Sequence, residues 1–394
     1  AATRTSLACG GGFGRDGERD EFGVGFRTEQ RLQQLRVFAA RQPARDLVGA
    51  ERHAVIGGYP AAGIRSSTRD HALYNDLSFM GVQFLRKKPI RWQGVFPAMT
   101  TQFRRNGELN LPATARHIGT MIDAGVQGIV VLGSLGENLS LEADEKLEVV
   151  KAAVAVARGR VPVVAGVVET STAAACRYAR AVQRLGADGL MVLPAMVYRA
   201  DTRETLTHYR AVAAATRLPI ICYNNPLAYG IDITPLMFDE LADVPNLVAI
   251  KESSGDVRRI TDLINLVGDR YALFCGVDDL VLEAITLGAT GWISGMNLAF
   301  PREGQLLWDL ATSGDLDTAR AVYRWFTPLL HLDVPVKFVQ YIKLAVAEAG
   351  YGAEWVRAPR LPLIGDERKV VLKLIRHGLR TRPKVSLAIE SSDR

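Results

Sequence analysis

Cysteine is scarce in this chain: Cys9, Cys176, Cys222 and Cys275 are the only four among 394 residues. None stands in a CxxC or other metal-ligand spacing. A disulfide scaffold is therefore excluded, and the four read as isolated thiols of a protein from a reducing, cytoplasmic compartment. Histidine is almost as sparse. His53, His71, His117, His208, His331 and His377 are scattered, with no pair at ligand spacing beside a carboxylate, so no metal site is expected. No apolar run approaches the ~18 residues of a membrane span, which argues against an integral membrane protein. Concentrated charge is missing too. The formal net charge is +6, but residues 1–79 hold 11 Arg, no Lys and 9 Asp+Glu, and the remaining 315 hold 37 Lys+Arg and 33 Asp+Glu. No basic stripe emerges from that distribution, so nucleic-acid binding is not expected.

Regular periodicity is absent from most of residues 1–79, which carry Gly10-Gly11-Gly12, Gly14, Gly57-Gly58 and scattered Arg. One helix is expected from about Thr28 to Ala40, with Leu32, Leu35 and Phe38 on one side. The segment reads as a largely disordered leader. Its arginines fit a transit peptide, but its nine acidic residues argue against one. Met80 stands just before the ordered pattern and is expected to lie close to a natural start.

From Trp92 onward, short apolar runs alternate with longer amphipathic ones. The expected strands are Gly94–Thr100, Gly128–Leu132, Val161–Val167, Gly189–Leu193, Pro219–Tyr223, Leu247–Lys251, Ala272–Val277 and Gly291–Gly295. They are rich in Val and Ile and apolar on both faces, as strands of a doubly covered parallel sheet are. Helical spacing recurs between them, over Ala143–Arg158, Thr172–Leu185, Thr202–Thr216, Thr234–Leu241 and Val257–Val267. Ala-Gly-Val-Gln-Gly at 124–128, Leu-Gly-Ala-Asp-Gly at 185–189 and Leu-Gly-Ala-Thr-Gly at 287–291 each join a helix end to a strand start. Eight such units predict an α/β fold, a (β/α)8 TIM barrel over residues 80–300. A doubly wound sheet would want a glycine-rich phosphate loop after the first strand, and Pro97-Ala98-Met99-Thr100 is not one. Helical patterns at Arg302–Ser313, Leu316–Leu330, Val336–Glu348 and Asp366–Gly378 predict a C-terminal helical extension over 301–380, followed by a tail at 381–394.

Barrel enzymes carry their chemistry at the C-terminal strand ends. Lys251 is the only lysine at an expected strand end, following Val248-Ala249-Ile250. Desolvation there disfavours the ammonium, and a neutral amine attacks a carbonyl carbon to form a Schiff base. The ordinary alternative is a strand-end ion pair with Glu252 or Glu137. Tyr223 ends the neighbouring strand and is placed to pass protons as the carbinolamine forms and collapses; core packing is its ordinary alternative. Gly133-Ser134-Leu135-Gly136 is a short turn whose N–H groups and Ser134 hydroxyl suit a carboxylate, unless it is merely a tight strand-to-helix turn. The candidate site is thus catalytic Lys251 and Tyr223, with Gly133, Ser134, Leu135, Asp278, Asp279 and Gly295 as substrate-binding positions.

Gly-Ser-Leu-Gly-Glu (133–137), Tyr-Asn-Asn-Pro (223–226) and Ile-Lys-Glu-Ser-Ser-Gly (250–255) together resemble the N-acetylneuraminate lyase and dihydrodipicolinate synthase superfamily. The resemblance covers about residues 92–380. It implies a lysine Schiff-base enzyme acting on pyruvate-like 2-oxo acids, with Lys251 as the Schiff-base lysine, Tyr223 handling protons and Ser134–Leu135 binding a carboxylate. It also implies a homo-oligomer, a tetramer or dimer of dimers, and no cofactor. Three departures argue against lysine biosynthesis. Leu135 stands where synthases carry a second hydroxyl, Ala228 where they carry an arginine, and Val197 where they carry a relay tyrosine; Tyr198 lies one residue late. Asp278 and Asp279 lie where lyases bind a sugar tail, but Met196, Val197, Ala228 and Met296 describe a small apolar pocket. Leu-Pro-Ala-Met-Val-Tyr (193–198), Tyr-Asn-Asn-Pro and His-Leu-Asp-Val-Pro-Val-Lys (331–337) look like the branch containing 1-pyrroline-4-hydroxy-2-carboxylate deaminase. A 2-keto-3-deoxy-sugar-acid dehydratase would use the same lysine chemistry. Outside catalysis, a 2-oxo acid binding protein on the same barrel is the alternative.

Overall fold

The computed structural model describes residues 90–383. The leader, its expected helix, Met80 and most of the tail lie outside the described residues. Eight strands, β1 (Gly94–Val95), β2 (Ile129–Val131), β3 (Val163–Val167), β4 (Gly189–Val192), β5 (Ile220–Asn224), β6 (Leu247–Glu252), β7 (Ala272–Cys275) and β8 (Gly291–Trp292), form one parallel sheet in the order β1-β8-β7-β6-β5-β4-β3-β2. The Ala98–Val130 bridge, with Met99 N–H on the Val130 carbonyl at 2.7 Å and Val130 N–H on that of Pro97 at 3.0 Å, joins β1 to β2 and closes the TIM barrel.

Helices follow the strands: α1 (Leu111–Asp123), α2 (Ala143–Ala157), α3 (Thr172–Arg184), α4 (Thr202–Ala214), α5 (Pro226–Tyr229), α6 (Pro235–Glu240), α7 (Arg258–Val267) and α8 (Val281–Thr286). The extension adds α9 (Pro301–Ser313), α10 (Leu316–Leu330), α11 (Phe338–Glu348) and α12 (Gly365–Arg380). No helix among the described residues is long and apolar enough to cross a membrane.

The three repeated glycine strings do two jobs each. Gly125, Gly186 and Gly288 take positive φ (93°, 85° and 106°) just beyond α1, α3 and α8, a conformation that costs a side-chain-bearing residue more. The second glycine of each string admits a ring: a Cβ on Gly128 would stand 2.2 Å from Phe96, on Gly189 2.8 Å from Trp92, and on Gly291 2.2 Å from Phe274. Those rings pack together, Trp92 on Phe96 at 6.3 Å and Phe96 edge-on to Phe274 at 5.2 Å. They fill the strand-start end of the barrel, so function is confined to the other end.

Most strands are shorter than their apolar runs predict, and two, β1 and β8, are cut to two residues each. β1 stops before Pro97, which has no N–H for a ladder. β8 stops at Trp292 because the N–H groups of Gly295 and Met296 bond instead to the Asp278 carboxylate.

The extension grips the barrel by buried charge. Lys343 of α11, fully buried, places Nζ 2.5 Å from Glu137 Oε1, and the Arg357 N–H donates to Glu137 Oε2 at 3.0 Å. Both cations also pack on Phe103, with Lys343 Nζ 4.3 Å and the Arg357 guanidinium 4.5 Å from its ring centre.

Candidate active site

Register places Tyr223 of β5 beside Lys251 of β6. Lys251 is 6% exposed and its Nζ stands 4.1 Å from the centre of the Tyr223 ring. Its stem lies along Gly276, where a Cβ would stand 2.6 Å from Lys251 Cε. Neither expected ion-pair partner is taken up. Glu137 is engaged by Lys343, and Glu252 accepts from Asn224 Nδ2 at 3.1 Å and the Ser254 N–H at 2.6 Å. The amine is thus buried against a phenol ring with no hydrogen-bonded carboxylate of its own among the described residues.

The turn after β2 brings Ser134 toward the same place. Leu132 (φ 60°) and Glu137 (φ 53°) both adopt left-handed backbone, which costs non-glycine residues free energy that surrounding bonds must offset. Asn138 Nδ2 donates to the Leu132 and Gly166 carbonyls at 2.9 and 3.2 Å, and Thr101 Oγ1 to the Gly136 carbonyl at 2.6 Å. Among the described residues no acceptor takes the Ser134 or Leu135 N–H. That leaves two donors and a hydroxyl for an anion. Gly133 backs onto Met191, whose Cε would stand 3.1 Å from a Cβ there. The Leu135 side chain is buried in the core and lends the turn only its backbone.

A residue missed in the sequence completes the group. Tyr229 hydrogen-bonds through its hydroxyl to Ser134 Oγ, and its ring meets that of Tyr223 edge-on at 5.6 Å. Burial foremost, and the adjacent Tyr223 phenol, push its own phenol well up. Asn225 Nδ2 donates to the Tyr223 oxygen at 3.1 Å. Signals for Tyr229 were present: Asn225 caps the single turn α5, Pro226 opens it and Gly230 (φ 72°) ends it. That one turn swings Tyr229 back over Ser134.

The strand-end aspartates have other employment than the expected sugar-tail binding. Asp278 is fully buried, and its carboxylate accepts from Trp292 Nε1 (2.9 Å), Ser294 Oγ (3.1 Å), Gly295 N–H (3.2 Å) and Met296 N–H (2.7 Å). Burial pushes it up to about 6 against those bonds. It ties β7 to the segment after β8. Asp279 accepts from His331 Nδ1 at 2.7 Å, while its carbonyl accepts from the Tyr323 hydroxyl, so it anchors the extension. Both carboxylates are committed within the fold. A lone sequence gives no sign of this, because a strand-end Asp looks the same whether it meets substrate or backbone N–H groups.

Other expected pocket walls separate. Met296 is fully buried, whereas Val197 is 62% exposed. Tyr198 is turned outward, its hydroxyl donating to Glu204 Oε1 at 2.7 Å. Val197 and Tyr198 border an open cavity of about 510 Å³ with Thr172 and His208, which includes neither Lys251 nor Tyr223. Ala228 is exposed. Among the described residues no cluster of His, Cys, Asp and Glu could hold a metal ion, and Cys176, Cys222 and Cys275 are free thiols.

The chain is similar to known proteins in sequence and fold. The model of the dihydrodipicolinate synthetase family matches residues 91–378. A 4-hydroxy-tetrahydrodipicolinate synthase from Methanospirillum hungatei is 37% identical over 241 residues, covering 60% of this chain and 82% of its own length. The crystal structure of a Bacillus anthracis dihydrodipicolinate synthase superposes with a TM-score of 0.71 at 28% identity, over 75% of this chain and 100% of that one. A prophage protein of the dihydrodipicolinic acid synthase family from E. coli K12, solved in complex with pyruvate, gives 0.69 at 28% identity, over 73% and 98%. Enzymes of this group are lysine Schiff-base lyases built on this barrel, and the chain belongs to the dihydrodipicolinate synthetase family.

Proposed function

We propose that this enzyme is a deaminase-dehydratase of a small cyclic imine carboxylate, with 1-pyrroline-4-hydroxy-2-carboxylate as its substrate and Lys251 as its Schiff-base residue. The carrying observation is a buried lysine and a three-hydroxyl cluster, beside a single anion-suited turn. Leu135 and Ala228 supply neither the second hydroxyl nor the arginine that a second carboxylate would need. Assembly as a homotetramer or dimer of dimers belongs to the same proposal.

In this reading the Ser134–Leu135 turn holds the C1 carboxylate. Lys251 adds to C2, and the ring nitrogen leaves C2 while staying on C5 as an amine. The resulting iminium withdraws electrons from C2, so the C3 proton is lost and an enamine forms. The enamine pair expels the 4-hydroxyl as water. Tautomerisation moves unsaturation to C5, and two waters hydrolyse the C5 imine and the lysine imine. One water is consumed overall, ammonia is released, and 2-oxoglutarate semialdehyde remains. Tyr223 passes protons to and from C2 and the lysine nitrogen, with Tyr229 and Ser134 linking it to the carboxylate turn.

The test is a substrate panel of 1-pyrroline-4-hydroxy-2-carboxylate, 2-keto-3-deoxy sugar acids, N-acetylneuraminate, and pyruvate with aspartate semialdehyde. Ammonia release from the first, with the others at least about 100-fold slower, is expected. One observation favours condensation of the last pair: Arg199 packs on Gly230, its Nε 3.3 Å from a Cβ there, two residues past Ala228. Fast condensation would replace the deaminase reading. In the same assay Tyr229→Phe is expected to lower kcat about 100-fold with little change in KM; an unchanged kcat would remove Tyr229 from the relay.

A further inference from the structure

The chemistry proposed above needs a base at C3, and it assigns Lys251, Tyr223, Tyr229 and Ser134 to C2 and the carboxylate. A candidate comes from outside the barrel. The one-turn helix His331–Asp333 joins α10 to α11 in the extension. Asp333 projects from it onto the strand end after β8, and a Cβ on Gly295 would stand 2.5 Å from Asp333 Oδ1 and 2.6 Å from Ile342 Cδ1. The carboxyl therefore occupies the volume that any side chain at 295 would fill. The missing side chain at Gly295 is what leaves room for that carboxyl.

We propose that Asp333 is the group that removes the C3 proton from the Schiff base on Lys251 and returns it to the departing 4-hydroxyl. The proposal rests on the Schiff-base reading of the site. In the first step an Asp333 oxygen takes the proton, the C3–H pair becomes the C2=C3 bond, and the C2=N pair moves onto the lysine nitrogen. In the second the Asp333 acid protonates the C4 hydroxyl, the enamine pair forms C3=C4 and restores the iminium, and water departs. Asp333 ends as it began, a carboxylate.

Three observations separate it from its neighbour Asp278. First, Asp278 is fully buried and spends both oxygens on four donors, whereas Asp333 is half-buried and accepts no side-chain hydrogen bond from a described residue. Second, among the described residues the charges that act on it are the Asp278 and Asp279 carboxylates and the Lys251 ammonium. Burial first, then the Asp278 carboxylate, hold the Asp333 carboxyl well above the usual range, with Lys251 pulling the other way. A carboxylate made more basic is a better acceptor for a carbon-bound proton. Third, its turn is fixed: His331 donates to Asp279 at 2.7 Å, making Asp279 a positioning residue for Asp333.

Pyruvate serves as the probe, because its methyl is the C3 position and its exchange with solvent requires only Schiff-base and enamine formation. Exchange in D2O is followed by NMR, and the adduct on Lys251 by borohydride trapping and peptide mass mapping. The wild type is expected to give both, with exchange accelerating as pH rises and Asp333 ionises. Asp333→Asn is expected to keep the adduct within about twofold, slow exchange by at least about 100-fold and lose the pH dependence. Gly295→Ala, which crowds the carboxyl out, is expected to do the same, and it carries the test should Asp333→Asn lose the adduct. Exchange within threefold of the wild type in an adduct-forming Asp333→Asn overturns the assignment alone. Absence of any adduct in the wild type overturns the Schiff-base reading itself.

Discussion

Lys251→Met is expected to lower turnover of the best panel substrate by on the order of 10⁴-fold or more, with the fold intact. Lys251 is 6% exposed, and its charge is not part of the ion pairs that hold the extension to the barrel. Methionine fills the stem's place along Gly276 and against the Tyr223 ring, so packing survives. What is lost is the only amine beside Tyr223 among the described residues, and with it the covalent electron sink at C2. Residual turnover within tenfold of the wild type would mean that C2 is activated without covalent attachment. Circular dichroism and thermal unfolding of the variant keep the two meanings of inactivity apart.

Lys343→Met makes the opposite prediction at a site that looks alike in sequence. Lys343 is also buried and also follows an apolar run, but its Nζ lies 2.5 Å from Glu137 Oε1 and 2.6 Å from the Trp355 carbonyl. Burial foremost depresses it to about 8, with Glu137 opposing. Removing the cation strands a fully buried carboxylate that keeps the Arg357 N–H and the more distant Arg360 guanidinium at 3.9 Å. Breaking a buried pair on one side costs roughly 3–5 kcal/mol; with that partial compensation about 3 kcal/mol is expected. The midpoint should fall by about 5 °C in a domain of this size. A shift under about 2 °C would show that Glu137 is adequately held without Lys343. The double variant Lys343→Met, Glu137→Gln should recover part of the loss, since no buried charge is then left alone.

The contrast between these lysines shows what one dimension can and cannot carry. Strand count, barrel closure and the Tyr223–Lys251 adjacency were legible because each follows from local spacing: apolar runs of strand length, glycines at fixed offsets, and two strand ends in register. Gly125, Gly186 and Gly288 announced helix ends through their own backbone needs. Tyr229 was missed although Asn225, Pro226 and Gly230 bracket its turn, because a four-residue helix carries no periodicity. The partners of Asp278 were not legible because they include backbone N–H groups 17 and 18 residues away, brought near by the return of β8. Asp333 and Lys343 reach the barrel only once the extension docks, through contacts as distant in sequence as Lys343 with Glu137, 206 residues apart, and Lys343 with Phe103. Local pattern is blind to such contacts. The departures at Leu135 and Ala228 were readable as missing groups, and their positions in the structure, one buried and one exposed, are consistent with that reading.

The central claim is that this barrel works through a covalent imine on Lys251. It is tested most directly by incubating the wild-type protein with pyruvate, reducing with borohydride, and mapping the modified peptide by mass spectrometry. The account predicts one reduced pyruvate adduct, on Lys251, with Lys343 and every other lysine unmodified. An adduct confined to another lysine, or none at all in a folded protein that still turns over substrate, would contradict it.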